Sequence, residues 1–255
     1  MKYLAIIQAR CGSSRLPNKV LMDLAGKTLL ERVFERAARS KNLDEIVVAT
    51  SIGKENLPLI ELCARRGFRV FVGSENDVLD RFYQAAKLFN PEYIVRITAD
   101  CPFYDAEILD AAIASMHTAT DYLADLDGTL ADGLDIEIMK FSALETAWQD
   151  AILKSEREHV TLYIRNNEDK FNIQNFKSPI DNISKERWTI DEPLDYEFAR
   201  RVYEHFTPLK KHFGAKEVST FVNKNPKIKS NSHIVRNEGL QKSLQNDINV
   251  KGTKK

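Results

Sequence analysis

Short apolar runs rich in β-branched residues recur along the first hundred positions, at residues 3–9, 44–50, 68–72 and 93–98, and each reads as a buried strand. Between them apolar positions fall at helical spacing. Leu29, Leu30, Val33, Phe34, Ala37 and Ala38 share one face behind a capping box of Thr28 and Glu31. Residues 57–66 predict a second helix closed by Gly67, and Ser74 with Asp77 predicts the cap of a third that carries Val78, Leu79, Phe82, Tyr83, Ala86 and Phe89 on one stripe. Residues 107–116 predict a fourth. Strand and helix alternating with short connections specify an α/β fold with a doubly wound, mostly parallel sheet.

Beyond Met116 the alternation loosens. Strands are expected at 121–124, 136–140, 171–176 and 187–190, helices at 142–151 and 155–165, and a last helix opened by Pro193 with Leu194, Phe198, Val202 and Phe206 in register. This half is expected to complete the sheet and wall the pocket. No internal repeat or Pro/Gly linker divides the chain, so residues 1–223 read as a single domain. From Lys224 onward Lys and Arg outnumber Asp and Glu by 8 to 2, which makes residues 224–255 either a mobile end or a basic flap.

Composition narrows the function. The 255 residues carry 37 Lys+Arg against 37 Asp+Glu, so the chain is no polycation built for nucleic acid, and any phosphate chemistry must use local charge. No apolar run approaches the length of a membrane span, and the run at residues 3–7 is too short for the core of a signal peptide, so a cytoplasmic protein without a membrane partner is expected. Cys11, Cys63 and Cys101 have no CxxC spacing and read as reduced thiols.

The loop after the first strand, Ala9-Arg10-Cys11-Gly12-Ser13-Ser14-Arg15-Leu16-Pro17-Asn18-Lys19, holds three cations and no acid. Ligands of an open parallel sheet sit beyond the carboxyl ends of its strands, where this loop lies. Gly12, Ser13 and Ser14 allow backbone N–H groups and hydroxyls to approach phosphate oxygens, and Arg10, Arg15 and Lys19 supply the charge a triphosphate needs. The alternative is an ordinary basic surface loop. Gly26-Lys27-Thr28 is no P-loop, because the first glycine of that motif would fall on Leu21, and no GxGxxG follows the first strand.

Acids gather on the same rim. Asp100 ends the fourth strand, and Asp191 stands where a strand gives way to a helix; two such aspartates facing a phosphate loop suit a magnesium–nucleotide complex. The alternative makes Asp191 a helix N-cap and Asp100 a turn residue. Asp132, Asp135 and Glu137 alternate along a segment that puts them on one face if it is a strand, and read as an acceptor wall, a further metal contact or a solvated edge. Asp125 and Asp127 have the DxD spacing of metal-dependent glycosyltransferases, a spacing common by chance, and His159 reads as part of a surface helix.

Residues 7–19 resemble the opening signature of nucleotidyltransferases related to CMP-Kdo and CMP-sialic acid synthetases, nearest to the SpsF-like spore-coat polysaccharide cytidylyltransferases. Segments 77–82, 96–102, 132–137 and 157–161 match that branch in order, so the resemblance covers roughly residues 1–225. It implies a nucleotide-diphospho-sugar transferase (GT-A-like) fold, CTP, Mg²⁺, release of pyrophosphate, a sugar-like acceptor and a homodimer. Carried onto this chain, Arg10, Ser14, Arg15 and Lys19 would hold the triphosphate, with Arg15 and Lys19 catalytic. Ala9, Gly12, Ser13, Thr98 and Ala99 would line the nucleotide, Asp100 and Asp191 would hold the metal, and Asp132, Asp135 and Glu137 would face the acceptor. Cys11, Asn18 and Ala99 replace the commoner methionine, glycine and glycine; Asn18 can still adopt positive φ, and Ala99 is expected to narrow the approach to base or ribose. The competing functions are a GT-A glycosyltransferase using a finished nucleotide sugar and a non-catalytic nucleotide-binding protein. Arg15 and Lys19 are expected on an exposed loop, and Trp148, Leu162, Tyr163 and Ile164 are expected at a partner surface unless they pack against their own sheet.

Overall fold

The computed structural model describes residues 1–209, 212–228, 240–241 and 243–247. The first half follows the alternation: β1 (Tyr3–Gln8), α1 (Leu29–Ala37), β2 (Glu45–Ser51), α2 (Leu57–Arg66), β3 (Arg69–Gly73), α3 (Val78–Phe89), β4 (Tyr93–Thr98) and α4 (Ala106–Ser115). The second half comprises β5 (Tyr122–Ala124), β6 (Glu137–Lys140), α5 (Phe141–Asp150), α6 (Lys154–Glu158), α7 (Leu162–Arg165), β7 (Ile173–Asn175), α8 (Pro193–Phe206) and α9 (Ala215–Lys224). Local signals decide the helix ends. Thr28 and Glu31 form the reciprocal capping box of α1, and Gly67 closes α2 in the left-handed region. Asp77 alone caps α3, accepting from the Asp80 N–H; Ser74, expected to share that duty, instead accepts from the Asp77 N–H one step earlier.

The seven strands lie in the order β3-β2-β1-β4-β6-β5-β7, parallel throughout except for β6, which runs antiparallel to both neighbours. The fold is the α/β arrangement with a doubly wound, mostly parallel sheet that the alternation predicts. Alternate residues of β1 feed two cores: Ala5 and Ile7 pack with Leu29, Val33 and Leu59 on one face, and Leu4 and Ile6 pack with Leu79, Phe82 and Leu144 on the other. From β1 the chain winds outward through β2 and β3, then returns under α3 to β4 on the other side of β1. The loops after β1 and β4 therefore open apart at the topological switch point, the crevice where this class of sheet binds ligands.

Three expectations for the second half are corrected. The helix expected at 155–165 is broken into α6 and α7, because the chain turns extended at His159 and the Leu162 N–H restarts on the His159 carbonyl at 2.8 Å. Residues 187–190 form no strand; a single parallel bridge joins Arg187 to Asp132. Asp132 through Ile136 are not extended alongside β6 but turn at Gly133, whose φ is +102°. A Cβ there would lie 2.6 Å from the Thr189 nitrogen and 2.8 Å from the Trp188 carbonyl carbon, both backbone atoms. Gly133→Ala is accordingly expected to cost about 1–3 kcal/mol in urea unfolding, since neither the left-handed φ nor the approaching chain can relax cheaply.

The residues expected at a partner surface pack within the chain. Leu162, Tyr163 and Ile164 are buried, and Trp148 stacks on Tyr83 at 4.1 Å between ring centroids while its indole N–H donates to Asp80 at 2.8 Å. They are thus covered by their own chain, Trp148 by helix α3 rather than by the sheet. Of the basic tail, residues 229–239, 242 and 248–255 lie outside the described residues; the described part returns to α6, where Asp247 accepts from the Ser155 N–H at 3.3 Å. Among the described residues no helix is long and apolar enough to cross a membrane.

Candidate active site

The loop after β1 is shaped by backbone bonds. Cys11 is buried, its N–H donating to Asn56 Oδ1 at 2.8 Å and its carbonyl accepting from Ser13 and Asn18. Burial pushes the Cys11 thiol up, consistent with a packing role. Asn18 sits at φ 57°, the positive φ required of it, and starts a 3-10 turn over Lys19–Leu21. Arg10, Gly12, Ser14 and Arg15 are exposed along the loop and Ser13 is half-buried.

Lys19 departs from its expected place on an exposed loop. The 3-10 turn swings it inward until it is 8% exposed, and its ammonium donates to Asp100 Oδ2 at 2.8 Å, to the Ile190 carbonyl at 2.7 Å and to Asp191 Oδ1 at 3.0 Å. All three of its protons are thus committed. Burial opposes the charge of Asp100, but the Lys19 ammonium with its hydrogen bond and that from Thr98 outweighs this and brings the carboxyl down to about 2. Desolvation likewise opposes the charge on Lys19, and the two aspartates raise its pKa nonetheless.

Asp191 is held from three directions, by Lys19, by Arg15 at 3.0 Å and by Arg187 at 2.6 Å. It is not the N-cap of α8. Glu192 is, and Asp195 at the third helical position accepts from the N–H groups of both Asp191 and Glu192. The Asp191 carboxylate therefore faces the basic residues rather than the helix start. The turn reading of Asp100 is correct for its backbone, which accepts from the Ile190 N–H at 2.8 Å, while its side chain still faces Lys19.

A cleft of about 470 Å³ opens beyond these residues. Arg15, Thr98, Asp100, Asp132, Asp135, Glu137 and Asp191 all line it, so the fold gathers both rim aspartates and the three acids of 132–137 on one cavity. Ala9 and Ala99 do not line it. Their side chains sit in the core and their N–H groups bond Ala49 and Gln8, so Ala99 does not narrow the approach as expected. Asp132 pairs with Arg187, and Asp135 accepts from the Gly133 N–H at 3.1 Å. Glu137 has both oxygens in use: Tyr122 and Thr161 donate to one at 2.6 Å each, and Arg96 pairs with the other.

The DxD acids belong to loop structure. Asp125 accepts from Thr129 and Leu130, and Asp127 from Asn175. Cys101 lines the cleft as a protonated thiol, held well above its usual pKa by burial and by Asp100 and Asp135. Among the described residues no three acid, histidine or cysteine side chains form a metal cage. Asp100 and Asp191 converge on one cation, the Lys19 ammonium, and two carboxylates on a cleft wall are the donor set magnesium would take, with phosphate oxygens and water completing its shell.

The sequence profile of the cytidylyltransferases matches residues 4–247. The chain belongs to the cytidylyltransferase family. The spore coat polysaccharide biosynthesis protein SpsF of Bacillus subtilis is 39% identical over 237 residues, covering 88% of this chain and 95% of that one. A 3-deoxy-manno-octulosonate cytidylyltransferase of Anaeromyxobacter dehalogenans is 36% identical over 138 residues, 52% of this chain and 54% of its own. A cytidylyltransferase structure from Leptospira borgpetersenii superposes with a TM-score of 0.85 at 36% identity, covering 92% of this chain and 99% of that one. As a cytidylyltransferase, the chain is an enzyme whose cleft adds residues that sequence reasoning left unassigned: Arg96, Tyr122, His159, Thr161, Arg165 and Arg187. Arg96, His159 and Thr161 lie in matched segments, and Arg96 also alternates on a strand, which is a usable signal; Arg187 lines the cleft from a stretch where the expected strand does not form.

Proposed function

We propose that the protein transfers the cytidylyl group of CTP to a hydroxyl of a sugar acid, amino sugar or related acceptor, giving a CMP- or CDP-linked product and pyrophosphate for cell-surface polysaccharide synthesis. The observation that carries this reading is the Lys19–Asp100–Asp191 cluster at the switch point, flanked by a basic loop and facing the cleft. Arg10, Ser13, Ser14 and Arg15 present exposed or half-exposed donors to a triphosphate. Lys19 acts from beneath, fixing the two aspartates and compensating negative charge as pyrophosphate departs. Asp100 and Asp191 would hold Mg²⁺, which supplies Lewis-acid stabilisation of the charge spreading toward the leaving group. The acceptor enters beside Asp132, Asp135 and Glu137, and its oxygen attacks the α-phosphorus in line. We place the enzyme in the cytoplasm as a homodimer, a state that light scattering reads directly.

Purified protein incubated with Mg²⁺, each of the four nucleoside triphosphates and a panel of sugar acids, amino sugars and polyol or phosphonate acceptors is expected to release pyrophosphate with CTP and one acceptor class. Binding of CTP without turnover of any acceptor would instead leave a nucleotide-binding protein. Asp100→Asn and Asp191→Asn are each expected to raise the magnesium concentration needed for half-maximal rate and to cost about 1.5–3 kcal/mol in urea unfolding, because each removes one charged acceptor from Lys19. A magnesium titration of both variants against wild type checks the first effect separately from the second.

A further inference from the structure

The break between α6 and α7 places His159 on the cleft wall beside Thr161 and Leu162. Its Nε2 lies 3.2 Å from the hydroxyl of Ser243, and that hydroxyl lies 2.9 Å from Glu158 Oε2. A carboxylate only accepts, so the single Ser243 proton is committed to Glu158. The Ser243 oxygen then accepts, and the imidazole proton must reside on Nε2. Nδ1 is left as a lone pair, and no described residue donates to it.

We propose that His159 is the general base of the transfer, taking the acceptor hydroxyl's proton on Nδ1 as the acceptor oxygen bonds the α-phosphorus of CTP. The inference rests on the cytidylyl-transfer reading above. As the new O–P bond forms, the bond from the α-phosphorus to the bridging oxygen breaks, pyrophosphate leaves with that electron pair, and the proton on Nδ1 passes to solvent after release. Glu158 and Ser243 are positioning residues: through Nε2–H they fix the tautomer and stabilise the imidazolium that forms.

Five other groups on the cleft suit this task less. Asp100 and Asp191 are tied to Lys19, Asp132 to Arg187 and Glu137 to Arg96, Tyr122 and Thr161, and Cys101 holds its proton. The charges facing His159 are Glu158 on α6, Arg96 on β4, Glu137 on β6 and Asp247 of the C-terminal segment. Burial outweighs the acids among them and holds the ring below its usual 6.5, so it is neutral and able to accept at pH 7.

Two measurements test this. Long-range proton–nitrogen correlation on the free protein, with His159 assigned by its loss in His159→Gln, is expected to show a neutral Nε2–H ring at pH 7 and a weakened tautomer preference in Ser243→Ala. An Nδ1–H tautomer or a charged ring in the wild type overturns the proposal. With whichever acceptor releases pyrophosphate, His159→Gln is expected to lower kcat by about 10²-fold or more and to abolish the acidic limb of the pH–rate profile, with CTP affinity by calorimetry unchanged. Ser243→Ala is expected to displace that limb with a smaller loss of rate. A limb that survives in His159→Gln overturns the base assignment. Wild type that turns over no acceptor overturns the transfer reading itself, whereas turnover by a protein whose His159 carries its proton on Nδ1 overturns the base alone.

Discussion

Lys19→Ala is expected to unfold in urea with a stability about 3–5 kcal/mol below wild type and to lose turnover by about 10²-fold or more, the two losses arising from one ammonium. The stability loss follows from what is left behind. Asp100 and Asp191 would face each other across an empty space, both carboxylates 20–27% exposed, and the Ile190 carbonyl would lose its donor. Removing one partner of a buried ion pair is costlier than never having made it, and here one cation serves two anions. Arg15→Ala behaves differently. Arg15 bridges Asp191 from a side chain that is 42% exposed, so its removal is expected to lower the rate with little change in stability. Denaturant curves for both variants beside pyrophosphate release separate the cases; equal, wild-type-like stability in both would show that Lys19 is not the buried linchpin of the cluster. The triple variant Lys19→Ala/Asp100→Asn/Asp191→Asn is expected to recover part of the lost stability, since it removes both carboxylate charges together with the cation they share.

The contrast between these two residues shows where sequence reading reaches and where it stops. Strands β1 to β4 and helices α1 to α4 are legible because their signals are local: apolar runs, helical stripes, the Thr28–Glu31 box, the Gly67 terminus. The loop after β1 and the aspartate after β4 could be placed on one rim because parallel topology alone dictates it. The side of that rim on which Lys19 lies is decided by partners 81 and 172 residues away, and nothing within its own loop records them. The same holds for the second half. No glycine or proline interrupts residues 155–165, so neither breaker marks the turn at His159, which is followed by a buried Thr161 that donates to Glu137, 24 residues away. Arg187 reads as a strand residue by its neighbours, yet its guanidinium is taken by Asp132, Asp191 and Asp195, and the chain bends to serve it. Asp132, Asp135 and Glu137 do reach a common cavity, but by way of the turn at Gly133 rather than by strand alternation.

Glu137→Gln carries the second large effect and decides what that acid does. As an acceptor contact it would be dispensable for stability, and its loss would appear in the acceptor KM alone. The geometry assigns it more. Its carboxylate joins β6 to Arg96 on β4, Tyr122 on β5 and Thr161 before α7, and the side chains of the ion pair are only 11% and 21% exposed. A glutamine keeps the shape but turns an amide N–H₂ toward Arg96, leaving a guanidinium without its counter-charge on the cleft floor. The variant is expected to lose about 3 kcal/mol in urea unfolding. Its pH dependence supplies an independent reading. Burial works against ionisation of Glu137, but the charge of Arg96 and the hydrogen bonds from Thr161, Tyr122 and Arg96 prevail, so its folded pKa lies below the ordinary 4.5. A carboxyl lowered on folding contributes stability that is present above its unfolded pKa and is lost as acid protonates it in the folded protein. Wild type should therefore lose stability more steeply below about pH 4.5 than Glu137→Gln, and the two curves should converge toward low pH. Parallel curves across that range, with normal stability at neutral pH and a raised acceptor KM, would return Glu137 to the acceptor wall as a contact residue only.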